Sequence, residues 1–540
     1  MPERPSLATR VAHRGPWTLR SIAAHDVVAG VSVALVLIPQ SLAYAQLAGF
    51  PAYRGLYAAA IPPLVAAPFA SSPYLQPGPT AVTALLTYDA LSPLAAVGSR
   101  RYIEFGLLLA LLVGVIRVFV GFAHAGVVAY MMSQPLLVGF VPAAAILIVA
   151  SQIPLALGVR SRGRHELYRT GFAIMHVSDW QTDTILIAVL TSVVLLFGKR
   201  IHKLFPGVLV AVAAAILYSR FAGYQGSTLA GALHSSLPPL TTSLPLHEIP
   251  RLLVPALIIS LLGFAEASSI ARTYAAIDRR RWNANREFIS QGTANIAAGL
   301  FGGFPVGASF SRSALNRLAG ARTSASSLVT GLAVLAFLPL GFILQPLPQA
   351  VLAATVIVAV VPLIRLRRIV EVGKLSRVQL AVTLTAFGLT LVLAPHVELA
   401  ILAAIGLSVF IHLWRELRLD LSVVSSGERL ELIPQGVLWF GTSGVLEDRF
   451  VDALALHRAT TQLVIRLDNL GRIDLSGALA LKALIEDAER ANLVVLVQGV
   501  PEHARKVLQR VLGDGCLRTH HLERSPQAVH DSVVVAQPDE

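Results

Sequence analysis

The stretch that decides the fold is residues 252–271, which are LLVPALIISLLGFAEASSIA. It is long enough to cross a bilayer as a helix, yet it carries one carboxylate, Glu266. An ionisable residue within a membrane span is costly and is a functional-site hypothesis by default. Gly263, Ser269 and Thr273 lie at i−3, i+3 and i+7 from Glu266. This small, polar face indicates a helix that lines a cavity or packs on another helix.

The composition indicates that most of the chain lies in membrane lipid. Of the 540 residues, 55% are hydrophobic and 14% are charged, whereas a soluble protein carries about 25% charged residues. The net charge is +13, but the basic residues cluster in short loops between apolar runs, for example at 199–203, 279–281 and 365–368. That distribution follows the positive-inside rule. We therefore expect no nucleic-acid partner.

Apolar segments follow one another from about residue 27 to residue 414, and they predict about fourteen transmembrane segments. The predicted domains are a cytosolic N-terminal segment (1–25), a transmembrane transport domain (26–420) and a C-terminal α/β domain (421–540). Four arginines precede the first span, and the number of spans is even. These features predict a multi-pass protein of the inner (plasma) membrane with both termini in the cytoplasm. The polar stretch 158–180 is predicted to be a loop.

The C-terminal domain is predicted to be α/β because short strand patterns alternate with helical ones. The predicted strands are 430–433, 437–440, 462–467 and 493–498, and the predicted helices are 475–491 and 502–512.

Two other apolar segments are interrupted by glycine and proline: QPGPT, which contains Gly78, and GGFPVG, which contains Gly307. These two glycines lie 229 positions apart (307 − 78), and Gln40 and Glu266 lie 226 positions apart (266 − 40). Because two pairs of similar features are separated by nearly the same number of residues, they predict two related halves of the chain. Paired interrupted segments are the best sequence indication of a transporter binding site.

The predicted halves are about 26–222 and 250–420. About seven spans in each, an odd number, would make the repeat inverted.

A helix that begins in mid-membrane exposes unpaired backbone N–H groups. Two such N-termini that face each other place positive dipole ends in one cavity, which favours an anion. We predict half-helices that begin near Thr80 and Ser309, with further hydroxyls from Thr83 and Ser311 and a full positive charge from Arg312. The alternative is that both breaks are packing kinks or loops between complete helices.

These residues resemble the SulP anion permeases (solute carrier family 26). The run IPQSLAYA at 38–45 is similar to the family's first-helix signature, and GPTA at 78–81 and the run 266–316 match as well. The run IDLSG at 473–477 resembles a loop motif of the STAS domain. The resemblance covers nearly the whole chain. It implies fourteen spans in a seven-plus-seven inverted repeat, core and gate domains, an elevator-like movement of the core, and a homodimer.

The resemblance also implies a binding site between the two half-helices. Carried over residue by residue, the substrate-binding residues are Gln40, Tyr44, Thr80, Ala81, Glu266, Ser309, Phe310 and Arg312. Members of the family carry sulfate, bicarbonate, chloride, oxalate or dicarboxylates.

Glu266 is interpreted as the ion-coupling carboxylate, since a buried carboxyl can take up and release a proton during a transport cycle. Another role in the binding site, or a structural carboxylate tied to backbone N–H groups or an arginine, stays open. Sodium needs several oxygen ligands, and Ser269 and Ile270 provide no second carboxylate one turn away. A proton is therefore favoured over sodium, and neither a cofactor nor a metal site is predicted.

Each of the other side chains has a second interpretation. Arg312 is an anion partner or an interfacial arginine that snorkels to water. Gln40 is a cavity residue or forms an interhelical hydrogen bond, and Tyr44 is a pocket wall or packs in the core. Asp474 suits an N-cap and Ser476 could accept a phosphate at a regulatory site; the alternative is a cap and turn only.

The function predicted is a secondary active transporter of a small anion, of the sulfate, bicarbonate or dicarboxylate class, with proton symport. The alternatives are an uncoupled channel or exchanger on the same fold, and a membrane sensor whose C-terminal domain is the output and binds a cytosolic partner. An enzyme is not predicted, because the sequence has no P-loop and no H-E-x-x-H motif. The sequence leaves the identity of the anion open.

Overall fold

The chain forms two compact units, one that ends at Ser408 and one that begins at Val409. The structure, a computed structural model, describes residues 24–127, 133–161, 165–201, 205–224, 226–228, 237–241, 244–417 and 419–519. Nearly all of the predicted N-terminal segment, and residues 520–540 of the predicted C-terminal domain, lie outside the described residues.

The first unit is helical, apart from two very short strands. The elements are α1 (Ala24–Leu47), α2 (Tyr53–Ala66), β1 (Pro77–Gly78), α3 (Ala81–Leu91), α4 (Arg100–Phe122), α5 (Gln134–Leu157), α6 (Glu166–Met175), α7 (Thr182–Ile201), α8 (Gly207–Phe221), α9 (Ile249–Ile277), α10 (Ala284–Leu300), β2 (Gly307–Ala308), α11 (Phe310–Leu318), α12 (Ala325–Phe337), α13 (Gln349–Val360), α14 (Leu366–Leu375), α15 (Arg377–Val392) and α16 (Val397–Glu416), which continues past the boundary.

Many of these helices are apolar enough for a membrane. In the described part of the chain, seven helical stretches, three of them made of consecutive helical segments, are also long enough to cross it, and four further apolar helices are shorter. The seven spans are 24–47, 100–122, 134–157, 246–277, 325–344, 349–375 and 397–416. A helical membrane protein with several apolar helices is confirmed, and the count of fourteen spans stays a prediction.

The prediction of a loop at 158–180 is wrong in part, because α6 lies within it. Glu166, Thr170 and Ala173 are buried at helical spacing, and Thr170 Oγ1 donates a hydrogen bond to the Ala150 carbonyl oxygen of α5 (2.5 Å). The helix packs on its neighbour along this narrow face. Packing between segments thus stabilises a helix that is too short and polar to show a clear pattern in sequence.

The order of elements is the same in the two halves of the first unit, with β1 after α2 and β2 after α10. The two halves also exchange matching contacts. Arg54, near the start of α2, donates from Nη1 to the Gly302 carbonyl oxygen after α10 (2.8 Å). Arg286, near the start of α10, donates from Nε to the Phe69 carbonyl oxygen after α2 (3.1 Å). Each half therefore anchors the segment that leads into the other half's strand.

Two groups of helices pack mainly among themselves. In one, α10 packs on α4 and α2, α12 packs on α1 and α2, and α9 packs on α4. In the other, α5 packs on α13 and α15, and α13 also packs on α7. The strands β1 and β2 and both of the helices that follow them belong to the first group.

The second unit is an α/β fold around a five-stranded sheet. Its elements are β3 (Asp420–Ser426), β4 (Arg429–Leu438), α17 (Phe440–Leu456), β5 (Gln462–Arg466), β6 (Leu470–Ile473), α18 (Leu475–Arg490), β7 (Val494–Gln498) and α19 (Glu502–Thr519). The strand order is β3-β4-β5-β7, with β6 paired to β4. Strand β3 is antiparallel to β4, and the other pairs are parallel.

The structure corrects several details of the predicted C-terminal domain. Strands β3 and β6 were not predicted. The predicted strands 430–433 and 437–440 form one strand, β4, whose pairing shifts register between Gly436 and Val437. Helix α17, which starts at Phe440, was not predicted. Its glycine-rich start resembles a turn in sequence, and the helix is stabilised by the burial of one apolar face.

Candidate functional site

The two Gly/Pro breaks meet each other inside the first unit. Strand β1 pairs with β2 in antiparallel register, with Pro77 opposite Ala308 and Gly78 opposite Gly307. Each break leads into a short helix at the predicted position, and neither is a kink or loop between complete helices. A Cβ at position 307 would lie 3.2 Å from Thr83 Cγ2, so a larger residue there would require Thr83 to move by a few tenths of an ångström.

The helices that follow the strands begin where the sequence predicts. Helix α3 begins after its N-cap Thr80, whose Oγ1 accepts a hydrogen bond from Thr83 N (3.3 Å). Helix α11 begins after Ser309, whose side chain does not cap it. Ser309 Oγ instead lies 3.1 Å from Ser311 Oγ. Both N-termini follow directly from the paired strands, so their positive dipole ends lie close together.

Arg312 links the second half-helix to the first break. Its Nη1 donates to the Pro79 carbonyl oxygen (2.8 Å) and its Nη2 to the Gln76 carbonyl oxygen (3.5 Å). The side chain is 1% exposed, so the alternative of an arginine that snorkels to water is wrong. Within the described ranges no carboxylate forms an ion pair with it, and its Nε has no hydrogen-bond partner. Its guanidinium is held in place by these carbonyl dipoles.

Glu266 lies on the wall of a cavity of about 560 Å³. Phe310, at the start of α11, and Ser269, one turn after Glu266, line the same cavity. Its basic wall residues are Arg272, Arg365 and Arg368. None of the residues described around Glu266 hydrogen-bonds with its carboxylate, but the buried charge of Arg312 acts on it, so a structural role tied to that arginine stays open. The carboxylate is therefore open to a proton or a ligand from the cavity.

The other predicted site residues do not line this cavity. Gln40 and Tyr44 are buried on α1, which packs against α3 and α11. Leu37, one turn before Gln40, lies within van der Waals reach of a Cβ added at Gly78. Gln40 Oε1 is buried and accepts no hydrogen bond from the part of the chain that the structure describes. The cavity wall thus includes Glu266 and Phe310 but not Gln40, Tyr44, Thr80, Ala81, Ser309 or Arg312.

Two polar residues that bind the second break were not predicted as site residues. Asn295 on α10 accepts from Val306 N at Oδ1 (2.9 Å) and donates from Nδ2 to the Val306 carbonyl oxygen (3.0 Å). Arg117 on α4 donates from Nη1 to that same carbonyl oxygen (3.3 Å). The signal for Arg117 was available, because it is a charged residue inside the apolar span 103–122.

In the second unit, Asp474 is the N-cap of α18, as predicted. Its Oδ1 accepts a hydrogen bond from Gly477 N (2.7 Å). Ser476 is exposed in the first turn of the helix, and its phosphorylation stays a prediction.

Comparisons with a family model and with a related protein identify the same family. Residues 24–386 match the model of the sulfate permease family. A probable sulfate transporter of Mycobacterium tuberculosis is 34% identical to this chain over 391 residues, which cover 71% of this chain and 69% of that protein.

Two solved structures are similar in fold. The murine solute carrier 26 family member A9 anion transporter, in the inward-facing state, superposes with a TM-score of 0.87 at 19% identity over 94% of this chain and 91% of that one. The transmembrane domain of a cyanobacterium bicarbonate transporter superposes with a TM-score of 0.62 at 23% identity over 70% of this chain and 96% of that one. At such identities the likeness concerns the fold alone.

Proposed function

The chain belongs to the sulfate permease family, and we propose that it is a secondary active transporter of small anions of the sulfate, bicarbonate or dicarboxylate class, with proton symport. Its relatives include sulfate transporters, which are transport proteins and not enzymes. The observation that carries the proposal is the pairing of β1 with β2, which brings two helix N-termini and the charge of Arg312 together. An anion is the ligand that such a site stabilises.

The proposed coupling follows from the charge of Glu266. An ionised carboxylate on the cavity wall repels an incoming anion, and a protonated one does not. Anion binding therefore favours proton binding, and by linkage a proton favours the anion by the same factor.

The proposed movement is a shift of one helix group against the other. The cavity is lined by Glu266 of α9 and Phe310 of α11 on one side, and by Gln134 and Phe140 of α5 on the other. The paired strands and the half-helices pack mainly within the first group, so the anion site would move with it. This is the elevator-like shift that the resemblance implies.

We further infer that the two halves form an inverted repeat of seven spans each. The exchanged arginine contacts support this inference, and so does a second matching pair of contacts. Asp26, in the first turn of α1, accepts from Thr323 N just before α12 (3.1 Å). Glu248, directly before α9, accepts from Arg101 Nη2 near the start of α4 (2.9 Å). The homodimer, the cytoplasmic termini, the inner membrane, and a STAS domain with a cytosolic partner stay predictions.

The experiment is uptake of radiolabelled sulfate into liposomes that contain the full chain, with and without an inward proton gradient. We expect saturable uptake by the wild type that the gradient drives above equilibrium. Glu266→Gln should exchange sulfate without response to the gradient, because the glutamine cannot titrate. Glu104→Gln is the matched control, since Glu104 pairs with the exposed Arg100 at the start of α4, and it should behave as the wild type.

Uptake by the wild type that ignores the gradient, with Glu266→Gln indistinguishable from it, would refute the coupling. Currents that rise linearly with sulfate concentration would instead identify the channel alternative.

A further inference from the structure

Arg117 is a fully buried cation in the middle of an apolar helix, and the proposed function does not account for it. It donates from Nη2 to the Ile259 carbonyl oxygen (3.0 Å) and from Nε to the Ser260 carbonyl oxygen (3.3 Å), both on α9. Its third contact is the Val306 carbonyl oxygen in the second break. One side chain therefore joins α4, α9 and the segment that leads into β2.

The position of the guanidinium is close to the anion site. It packs directly on Gly263, because a Cβ at that position would collide with Arg117 Nη2. The same added atom would lie 3.7 Å from Thr83 Cγ2, in the first turn of α3. Gly263 precedes Glu266 by three residues, which is one turn on the same helix face. Arg117 thus lies one helical turn from Glu266 and directly behind the paired breaks.

The charge of Arg117 is solvated but not neutralised. All three of its hydrogen-bond partners are backbone carbonyl oxygens, and no carboxylate in the described ranges lies within ion-pair distance of it. A buried charge is costly unless an opposite charge compensates it. An anion held between the helix N-termini provides that compensation each time the site is occupied.

We propose that Arg117 is a second fixed positive charge of the anion site, and that with Arg312 it makes the site prefer divalent anions. This inference rests on the proposed function. When Glu266 is protonated, the two arginines contribute two positive charges, which a dianion such as sulfate balances. A monovalent anion leaves one of the two uncompensated. Arg117 acts through the electric field and through the backbone that it holds, so it is a positioning and specificity residue.

The field argument gives a measurable signature. The Coulomb energy of a divalent anion is twice that of a monovalent anion at the same place. Loss of one fixed charge therefore weakens binding of the dianion by the square of the factor found for the monoanion. For a separation of about 10 Å and an effective dielectric constant of about 20, these factors are roughly tenfold and roughly a hundredfold. Loss of a merely structural contact would weaken both anions by one common factor.

The test is the affinity of the detergent-solubilised full chain for sulfate and for nitrate, measured by isothermal titration calorimetry. Arg117→Gln should lose roughly a hundredfold for sulfate and roughly tenfold for nitrate. Arg117→Lys keeps the charge and should keep the ratio of the two affinities. Arg100→Gln, on the same helix but with its side chain 91% exposed, is the matched control and should leave both affinities unchanged.

Equal losses for sulfate and nitrate in Arg117→Gln would overturn the inference. If that variant does not fold, Arg117→His provides the same comparison, because imidazole is neutral at alkaline pH. A sulfate-to-nitrate ratio in Arg117→His equal to that of the wild type at alkaline pH would also overturn it. A wild-type protein that neither binds nor transports either anion would instead refute the proposed function.

Discussion

The close contact between α4 and α10 makes a sharp prediction about stability. Four glycines form it, Gly114 and Gly121 on α4 and Gly292 and Gly299 on α10, each pair seven residues apart. Small residues allow the backbones of membrane helices to approach closely. A Cβ added at Gly114 would lie 2.5 Å from Ile296 N and 2.7 Å from the Gly292 carbonyl oxygen. Both are backbone atoms, so no rotamer change relieves the contact.

We therefore expect Gly114→Ala to force the two helices apart. Ordinary van der Waals contact begins at 3.4 Å, so the distance of 2.5 Å from the added Cβ to Ile296 N is too short by about 0.9 Å (3.4 − 2.5). Overpacking of this kind costs about 1–3 kcal/mol. Helix α10 also carries Asn295, which holds the Val306 backbone, so sulfate affinity should fall together with stability.

The assay is the melting temperature of the detergent-solubilised chain, followed by tryptophan fluorescence with and without sulfate. The matched controls are Gly388→Ala and Gly406→Ala, because an added Cβ there meets no described atom within 4 Å. Alanine is a better helix former than glycine by about 1 kcal/mol, so these controls should melt at or above the wild-type temperature. The reasoning is refuted if Gly114→Ala melts as high as the controls, or if all three variants lose stability equally.

Two further predictions concern single carboxylates at helix ends. Tyr74 Oη and Arg317 Nη2 donate to the Asp278 carboxylate (2.5 and 2.7 Å), and these contacts lower the pKa of Asp278 below its ordinary value. The ionised Asp278 therefore stabilises the fold at any pH above the pKa that this carboxyl has in the unfolded chain. The difference in melting temperature between the wild type and Asp278→Asn should shrink as pH falls below about 4. Asp474→Ala removes a cap worth about 1 kcal/mol, so the Gly477 amide should exchange with deuterium about fivefold faster in the full chain; an unchanged rate would contradict the cap.

Most of the site's framework could be predicted because it depends on local chemistry. The breaks around Gly78 and Gly307 are visible since glycine and proline interrupt apolar runs. The starts of α3 and α11 agree with the predicted positions, Thr80 and Ser309. Helices α6 and α17 were missed, because their short patterns are stabilised by neighbours that sequence periodicity does not reveal.

The sequence by itself determined the membrane class, the two interrupted segments and the exceptional position of Glu266. These follow from local properties, namely hydropathy, the rigidity of proline and the cost of a charge in lipid. Only the tertiary structure decided that Arg312 reaches back to Pro79, and that Arg117 joins α9 to Val306. The partners in these contacts lie more than a hundred residues apart in the chain. Which carbonyl oxygen a buried cation reaches depends on how whole helices pack, and no local pattern encodes that.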